Sequence, residues 1–580
     1  MNPLESENLS PIGRVRAILA ASSVTERAAF GLLVVAAFVS ALGAGTVAIG
    51  KTLVEAPREG GTLVEGLVGT PRFVNPVLAA SDADRALTAL IFAGLTRVSA
   101  TGEIEPDLAT YAVSEDATEY RFWIRPDAEF QNGEPVLAAD VAFTVEKAGD
   151  PEVKSPRAAA WSNVEVEVAG EREIVFRLRE PAPDFLSATT MGILPGGRFA
   201  GLSAQDFLLS DANAEPIGAG PFALNNLVRQ NDAAVAYELE GFEAYDGAKP
   251  YLDHLTVRLY PDETRLAAAL ERGDVESAYG LSPEDAADAA SRGARVATQR
   301  LPRVFAAFFN QSHAPVLADH SVREALAASI DRQALVDEVL KGYGATLQGP
   351  LALEAGNGAG ANLSGSLVEE KEEVVPAADR AARSRSILEA DGFAAGEDGV
   401  YARKGERLSL SLVTADAPEL VAAAQAVASA WRGIGAEVRV EVYAPQDLVD
   451  AAIRPRAYDA LLFGEVISRD VDFYSFWHSS QRADPGLNVA GYANATVDGL
   501  LETLRAEADA AARAKIMARA AELIAKDTPA AFLYAPEATY ALPEGLEAPL
   551  PPRLASPADR FALVRSWHRE TDEVWPIFAR

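Results

Sequence analysis

Residues 408–463 read LSLSLVTADAPELVAAAQAVASAWRGIGAEVRVEVYAPQDLVDAAIRPRAYDALLF. Leu408, Leu410 and Leu412 alternate with Ser409 and Ser411, the period of a strand. Pro418 to Gly433 follows as an alanine-rich helix, Val438 to Tyr443 as a second strand, Gln446 to Ile453 as a second helix and Tyr458 to Phe463 as a third strand. A βαβαβ order predicts a layered α/β unit with right-handed crossovers.

Outward from this stretch the period changes again. Thr62 to Gly69 reads as a strand running into a Thr70-Pro71 loop. Tyr120 to Arg125 is a further strand, and Ala138 to Lys147 a helix with Val141 and Val145 on its apolar face. Val164, Val166 and Val168 alternate with glutamates, Ala169 to Arg172 turns the chain, and Ile174, Phe176 and Leu178 alternate on the return. This predicts an antiparallel hairpin with one apolar face. Ser321 to Glu324 has the pattern of a capping box before a helix that Gly342 and Gly344 end. Val497 to Ala525 reads as one helix stopped by Asp527-Thr528-Pro529. Glu354 to Ala378, with Gly/Asn/Ser followed by an acidic run, reads as a surface insertion.

The chain has 580 residues, 49% of them hydrophobic and 23% charged, enough for several compact units. A net charge of −32 leaves no basic stripe to neutralise phosphates, which argues against nucleic acid as a partner. There is no cysteine, hence no disulfide, no thiolate metal site and no lipid-modified cysteine. Ala28 to Ile49 is a stretch of 22 residues without a charge, preceded by Arg14, Arg16 and Arg27. At about 1.5 Å per residue it has the length to cross a bilayer. A cleavable signal peptide is the other reading; the long preceding segment and long apolar run favour an uncleaved anchor. Either way the bulk of the chain is expected outside the cytoplasm.

Seven phrases occur in a fixed order: Gly60-Gly61-Thr62-Leu63-Val64; Asn75-Pro76-Val77-Leu78; Phe130-Gln131-Asn132-Gly133-Glu134-Pro135-Val136 with Ala139-Asp140-Val141; Gly218-Ala219-Gly220-Pro221-Phe222; Tyr251-Leu252-Asp253; Val322-Arg323-Glu324-Ala325-Leu326; and Ser329-Ile330-Asp331-Arg332. Their order and spacing resemble the extracytoplasmic solute-binding proteins of the oligopeptide/dipeptide/nickel type (bacterial solute-binding protein family 5), which feed ABC importers. The resemblance runs from about Gly60 to about Tyr540. It implies an α/β, two-lobed periplasmic-binding-protein fold (type II, large peptide-binding cluster), with an extra small domain inserted in the first lobe. To this the sequence adds one N-terminal transmembrane helix. Carried onto this chain, 1–27 is a cytosolic segment, 28–49 the anchor and 50–59 a tether. The first lobe takes 57–88, 215–303 and 535–580, the inserted subdomain 89–214 and the second lobe 304–534, with hinges near Arg303-Val304 and Leu533-Tyr534.

The residues offer binding rather than catalysis. The five histidines, His254, His313, His320, His478 and His568, form no short metal-ligand spacing, and no GxSxG elbow occurs. Gly50-Lys51-Thr52 lacks the earlier glycine of a phosphate loop. No enzyme activity, metal or cofactor is expected. In peptide-binding relatives an aspartate of the second lobe, shortly after a Gly-Trp strand end, pairs with the ligand's terminal ammonium. The matching stretch is Gly464-Glu465-Val466-Ile467-Ser468-Arg469-Asp470-Val471-Asp472, where Glu465 replaces the tryptophan. Ungapped counting places Ser468 at the aspartate's position; a two-residue gap places Asp470 there, with Asp472 nearby. Asp470 is the preferred amine partner, and an ion pair of Arg469 with Asp470 or Asp472 is the structural alternative. Val68, Gly69 and Thr70 fall where relatives offer backbone to the ligand. Trp477 is either an aromatic wall or ordinary core.

The expected function is a membrane-anchored extracytoplasmic receptor, a monomer, that binds peptides between closing lobes and delivers them to ABC permease subunits. The alternatives are the same fold holding an oligosaccharide, an opine-like compound or a metal chelate, or a surface sensor or chaperone-like protein.

Overall fold

The computed structural model describes residues 22–34, 54–161, 164–179, 185–231, 233–245, 249–301, 303–351, 375–466, 473–507, 509–552, 554 and 556–575. The chain divides into two compact units, Met1–Glu59 with His568–Arg580, and Gly60–Trp567. In the first, strand Val54–Arg58 pairs antiparallel with Glu570–Val574, and Arg58 meets Glu570 at 3.0 Å. The expected tether is therefore partly strand. The last residues assigned to the first lobe belong with the N-terminal segment, because backbone pairing draws the two together. Most of 28–49 lies outside the described residues. Among the described residues no helix is long and apolar enough to cross a membrane.

The second unit is built on a twelve-stranded sheet. One half holds Phe222–Gln230, Ala233–Gly241, His254–Tyr260, Thr62–Val68 and Ser277–Tyr279; the other holds Arg303–Phe309, Ala460–Val466, Ser409–Ala415 and Glu437–Tyr443. The 13-residue strand Ala530–Leu542 joins them. Its start pairs with Arg303–Phe309, Tyr534 to Pro536 pairs with Gly344–Thr346, and Glu537 to Leu542 pairs with Arg295–Arg300.

The βαβαβ expectation for 408–463 holds. Ser409–Ala415 lies parallel to both Glu437–Tyr443 and Ala460–Val466, with helix Pro418–Gly433 in the first crossover. Helices cover both faces. Leu410, Leu412 and Leu462 join one apolar cluster with Val427 and Trp431, while Val413, Ala415 and Leu461 join another with Trp477 and Ile524. Both faces are buried from Leu410 to Ala415, where Ser411 and Thr414 hydrogen-bond instead of facing solvent.

The hairpin at Val164–Gly170 and Glu173–Leu178 forms as expected and extends, through Glu119–Ile124 and Ala109–Val113, into a four-stranded antiparallel sheet. Its solvent face is not purely polar. Val175 is fully buried there, its cross-strand neighbours being Arg121 and Glu167, and Arg121 with Glu173 and Arg177 with Glu119 form ion pairs on the same sheet. Long arginine stems of this kind cover apolar surface. Phe122, Ile174 and Phe176 belong to one apolar cluster with Leu63, Leu255 and Trp567, so this region shares the core of the first half instead of closing around its own.

Two helix boundaries differ from expectation. The helix near Ser321 begins at His320, capped by the Asp319 carboxylate accepting from Ser321 N at 3.1 Å, and ends at Ala328; a second helix, Arg332–Glu338, is capped by Asp331. The expected helix 497–525 is two, Ala495–Ala506 and Ala510–Asp527, the second capped by Asp509 accepting from Ala512 N at 2.7 Å. In each case an aspartate side chain competes for backbone N–H groups and starts a new helix. Most of 354–378 lies outside the described residues, with a helix from Ala377.

Candidate functional site

The seven phrases resolve into locks of the scaffold. Gln131 Nε2 donates to the carbonyls of Ile91 at 2.9 Å, Gly220 at 3.2 Å and Phe222 at 2.8 Å, and its Oε1 accepts from Gly218 N at 2.9 Å. A Cβ on Gly218 would stand 2.1 Å from the Ile91 carbonyl oxygen, and one on Gly220 2.6 Å from the Ile91 carbonyl carbon. Only glycine permits that approach. Gly60 N donates to Tyr251 O at 2.7 Å and Asp253 N to Gly61 O at 3.0 Å, so the first and fifth phrases close on each other. Arg323 is buried and donates to the carbonyls of Leu317, Ala318, Asp527 and Thr528.

The site lies where both sets of parallel strands end. Thr62–Val68 runs parallel to His254–Tyr260 and to Ser277–Tyr279, so Gly69, Pro261 and Gly280 follow their carboxyl ends. In the other half Asp416, Ala444 and the residues after Val466 do the same. Open α/β sheets bind ligands in the crevice outside such ends. Burial, then the carboxylates of Glu419 and Asp285, push the Glu263 carboxyl up, so Glu419 lies within electrostatic reach of Glu263. Glu263 opens helix Glu263–Arg272 of the first half, and Glu419 opens helix Pro418–Gly433 of the second. Burial raises the Tyr534 phenol and Glu419 adds to it, which puts that carboxylate beside the joining strand. Tyr279 ends its strand between Asp82, Arg303 and Arg560; burial pushes its phenol up, and its hydroxyl has no hydrogen-bond partner among the described residues.

The edge formed by Val68, Gly69 and Thr70 is held rigidly. Gly69 has φ +103° and donates to Tyr260 O at 2.7 Å, and Thr70 is exposed. Beyond it the buried Asp84 accepts from the backbone N–H groups of Arg72, Phe73, Ala80 and Ser81.

Of the other expected residues, Ser468, Asp470 and Asp472 lie outside the described residues. Trp477, left between wall and core by the sequence, is 1% exposed and packs on Phe308, Tyr492 and Phe532, which makes it core. Gly464 lies under the Phe305 ring, which a Cβ would meet at 2.7 Å, and that ring stacks on Tyr534 with centroids 5.3 Å apart. Glu465 is buried, and burial alone raises its carboxyl well above the usual range. Glu263, Tyr279 and Glu419 were not singled out from sequence, and Arg303 was only as a hinge residue; the strand-end position of Tyr279 and the first-turn glutamates were the available signals. Among the described residues no group of three or more His, Cys, Asp or Glu side chains is placed to hold a metal ion.

The geometry is that of a solute-binding protein. Residues 103–485 match the model of the bacterial extracellular solute-binding proteins, family 5. The chain belongs to this family. It is 26% identical over 499 residues to the oligopeptide-binding protein AppA of Bacillus subtilis, covering 85% of this chain and 89% of AppA. It is 30% identical to Protein XP55 of Streptomyces lividans over 82% of this chain and 85% of that protein. The structure of AppA in complex with a nonapeptide aligns with a TM-score of 0.58 at 25% identity, covering 89% of this chain and 100% of that one. The structure of NikZ from Campylobacter jejuni in complex with Ni(L-His) aligns with a TM-score of 0.61 at 22% identity, covering 87% of this chain and 99% of that one, a likeness of fold.

Proposed function

We propose that this protein is a membrane-anchored extracytoplasmic receptor that closes two lobes around a peptide and delivers it to an ABC permease, without chemistry of its own. One observation carries the reading: each half of the sheet has its own set of parallel strands, and the halves are joined through strand Ala530–Leu542 and the crossing before Arg303. A crevice between two halves joined by so few strands is the arrangement in which hinge closure buries a ligand. The similarity to an oligopeptide-binding protein over most of both chains supports a peptide as the solute.

In this reading the lobes divide as the resemblance implies, with hinges near Arg303-Val304 and Leu533-Tyr534. Val68, Gly69 and Thr70 offer backbone for strand-like pairing, which holds a peptide without regard to its side chains. Asp470 pairs with the terminal ammonium, and residues 28–49 anchor the monomer in the membrane. The test is native mass spectrometry of the full chain released from detergent. A heterogeneous set of bound masses that fragment as peptides is expected; one discrete non-peptide mass moves the reading to another solute of the same fold.

A further inference from the structure

Glu465 is a buried acid that the packing among the described residues does not explain. It is 4% exposed, and neither carboxyl oxygen has a hydrogen-bond partner among the described residues. It stands next to last in strand Ala460–Val466, at the carboxyl end where open α/β sheets hold ligands, and its cross-strand partner is the fully buried Val304. Alternation puts its side chain on the face of Leu461 and Phe463. Elements on that face present Val304, Ala306 and Phe308 from the neighbouring strand, Leu347 and Leu351 from the segment behind, and Phe473 and Trp477 from the helix. None of these titrates. The nearest charge in register is Arg303, opposite Val466, and it leaves no mark on the ionisation of Glu465.

Glu65 in the first half is as deeply buried, and there the fold supplies Arg560, Tyr540 and Ser277 as partners. A structural acid in this protein thus arrives with its donors, and Glu465 has none. Such a group is satisfied either by nothing or by what enters the crevice.

Resting on the receptor reading above, we infer that Glu465 recognises a basic group of the ligand, an alkylammonium or guanidinium such as a lysine or arginine side chain, separately from the site of the terminal amine. Glu263, Glu419 and Asp82 at the same crevice bias its field toward cations, with Arg303 as the opposing charge. In the empty protein burial favours the neutral form of the Glu465 carboxyl. When the cation arrives, the O–H bond breaks, the proton leaves to solvent and the carboxylate pairs with the ligand, which stays charged. Binding of a basic ligand therefore releases one proton, and its affinity rises with pH up to the ionisation range of the empty site.

Calorimetry on the full chain in detergent tests this with the peptide Ala-Ala-Lys-Ala-Ala and its norleucine isostere, each in two buffers of different ionisation enthalpy. The lysine peptide is expected to bind about tenfold or more tighter than the isostere and to release about one proton. Glu465→Gln should bind both peptides alike, with no release, and bind the norleucine peptide as the unaltered protein does. Equal affinity of the unaltered protein for both peptides overturns the inference while leaving peptide reception intact. If neither peptide binds, the receptor reading fails. Infrared difference spectra with agmatine then decide: loss of a neutral carboxyl band that Glu465→Gln lacks upholds the cation site, and no change refutes it.

Discussion

Replacing Arg560 and Glu65 by methionine, singly and together, tests what holds the floor under Tyr279. Both are buried, at 1% and 0% exposure. Arg560 donates to Glu65 from Nε at 3.2 Å and from a terminal nitrogen at 2.9 Å, and its other terminal nitrogen donates to Pro557 O at 2.6 Å. The guanidinium also lies 4.8 Å from the ring centre of Tyr279 and 4.1 Å from that of Phe561. Glu65 further accepts from Tyr540 at 2.8 Å and from Ser277. Breaking a buried pair by removing one partner costs about 3–5 kcal/mol. Arg560→Met leaves the carboxylate two neutral donors at about 1 kcal/mol each, which lowers its cost to about 1–3 kcal/mol. Glu65→Met leaves the cation one carbonyl and aromatic faces, and stays near about 3–5 kcal/mol. The double variant removes both charges at similar volume and is expected to cost only about 0–2 kcal/mol, so the cycle couples by about 2 kcal/mol or more. Urea unfolding followed by tryptophan fluorescence reads this through Trp567, which is buried in the same core and donates to Pro549 O at 3.2 Å. Two singles below about 1 kcal/mol with an additive double would refute the reasoning, since no desolvated charge would then have been left behind.

Gly218→Ala drives a methyl into the Ile91 carbonyl, which is backbone and does not yield; loss of folded protein on expression is expected, whereas Gly273→Ala, at φ +74° in open space, should cost only about 1 kcal/mol in a urea titration. Glu465 has its carboxyl raised in the folded state, so its contribution to stability is fully present below the unfolded value and is lost as pH climbs toward the folded one. Glu465→Gln should therefore raise the melting temperature of ligand-free protein at pH 8 and leave it nearly unchanged at pH 4; equal effects at both would show that the carboxyl is already ionised when folded. Asp470→Asn should weaken peptides with a free amine about tenfold or more against their acetylated forms, measured by calorimetry, and equal loss for both would remove Asp470 as the amine partner.

Local pattern carried far in 408–463, where strand and helix periods succeed one another cleanly and the structure follows them. It carried less far at helix ends. Asp319 and Asp509 cap through side chains that a period of 3.6 residues does not see, so one start shifted and one long helix became two. The candidate site was legible only as a neighbourhood. The residues after Gly464 were singled out through the resemblance, but Glu263 and Glu419 are first-turn glutamates like many others until the fold brings their helices together.

The phrases that identify the family say little about what it carries, because they are scaffold. Gln131 and Gly218 are each an ordinary turn signal, and their mutual bond spans 87 positions. What the sequence by itself determined is the α/β order, the family and the glycines that backbone crossings require, since these rest on short-range period and on residue types with a single steric reason. What only the tertiary structure decided is the fate of two glutamates in similar apolar strands. Glu65 meets Arg560 across 495 positions and becomes part of the floor, while Glu465 meets no hydrogen-bond partner among the described residues. Burial and pairing are long-range quantities, set when distant segments pack, and no local pattern distinguishes the two.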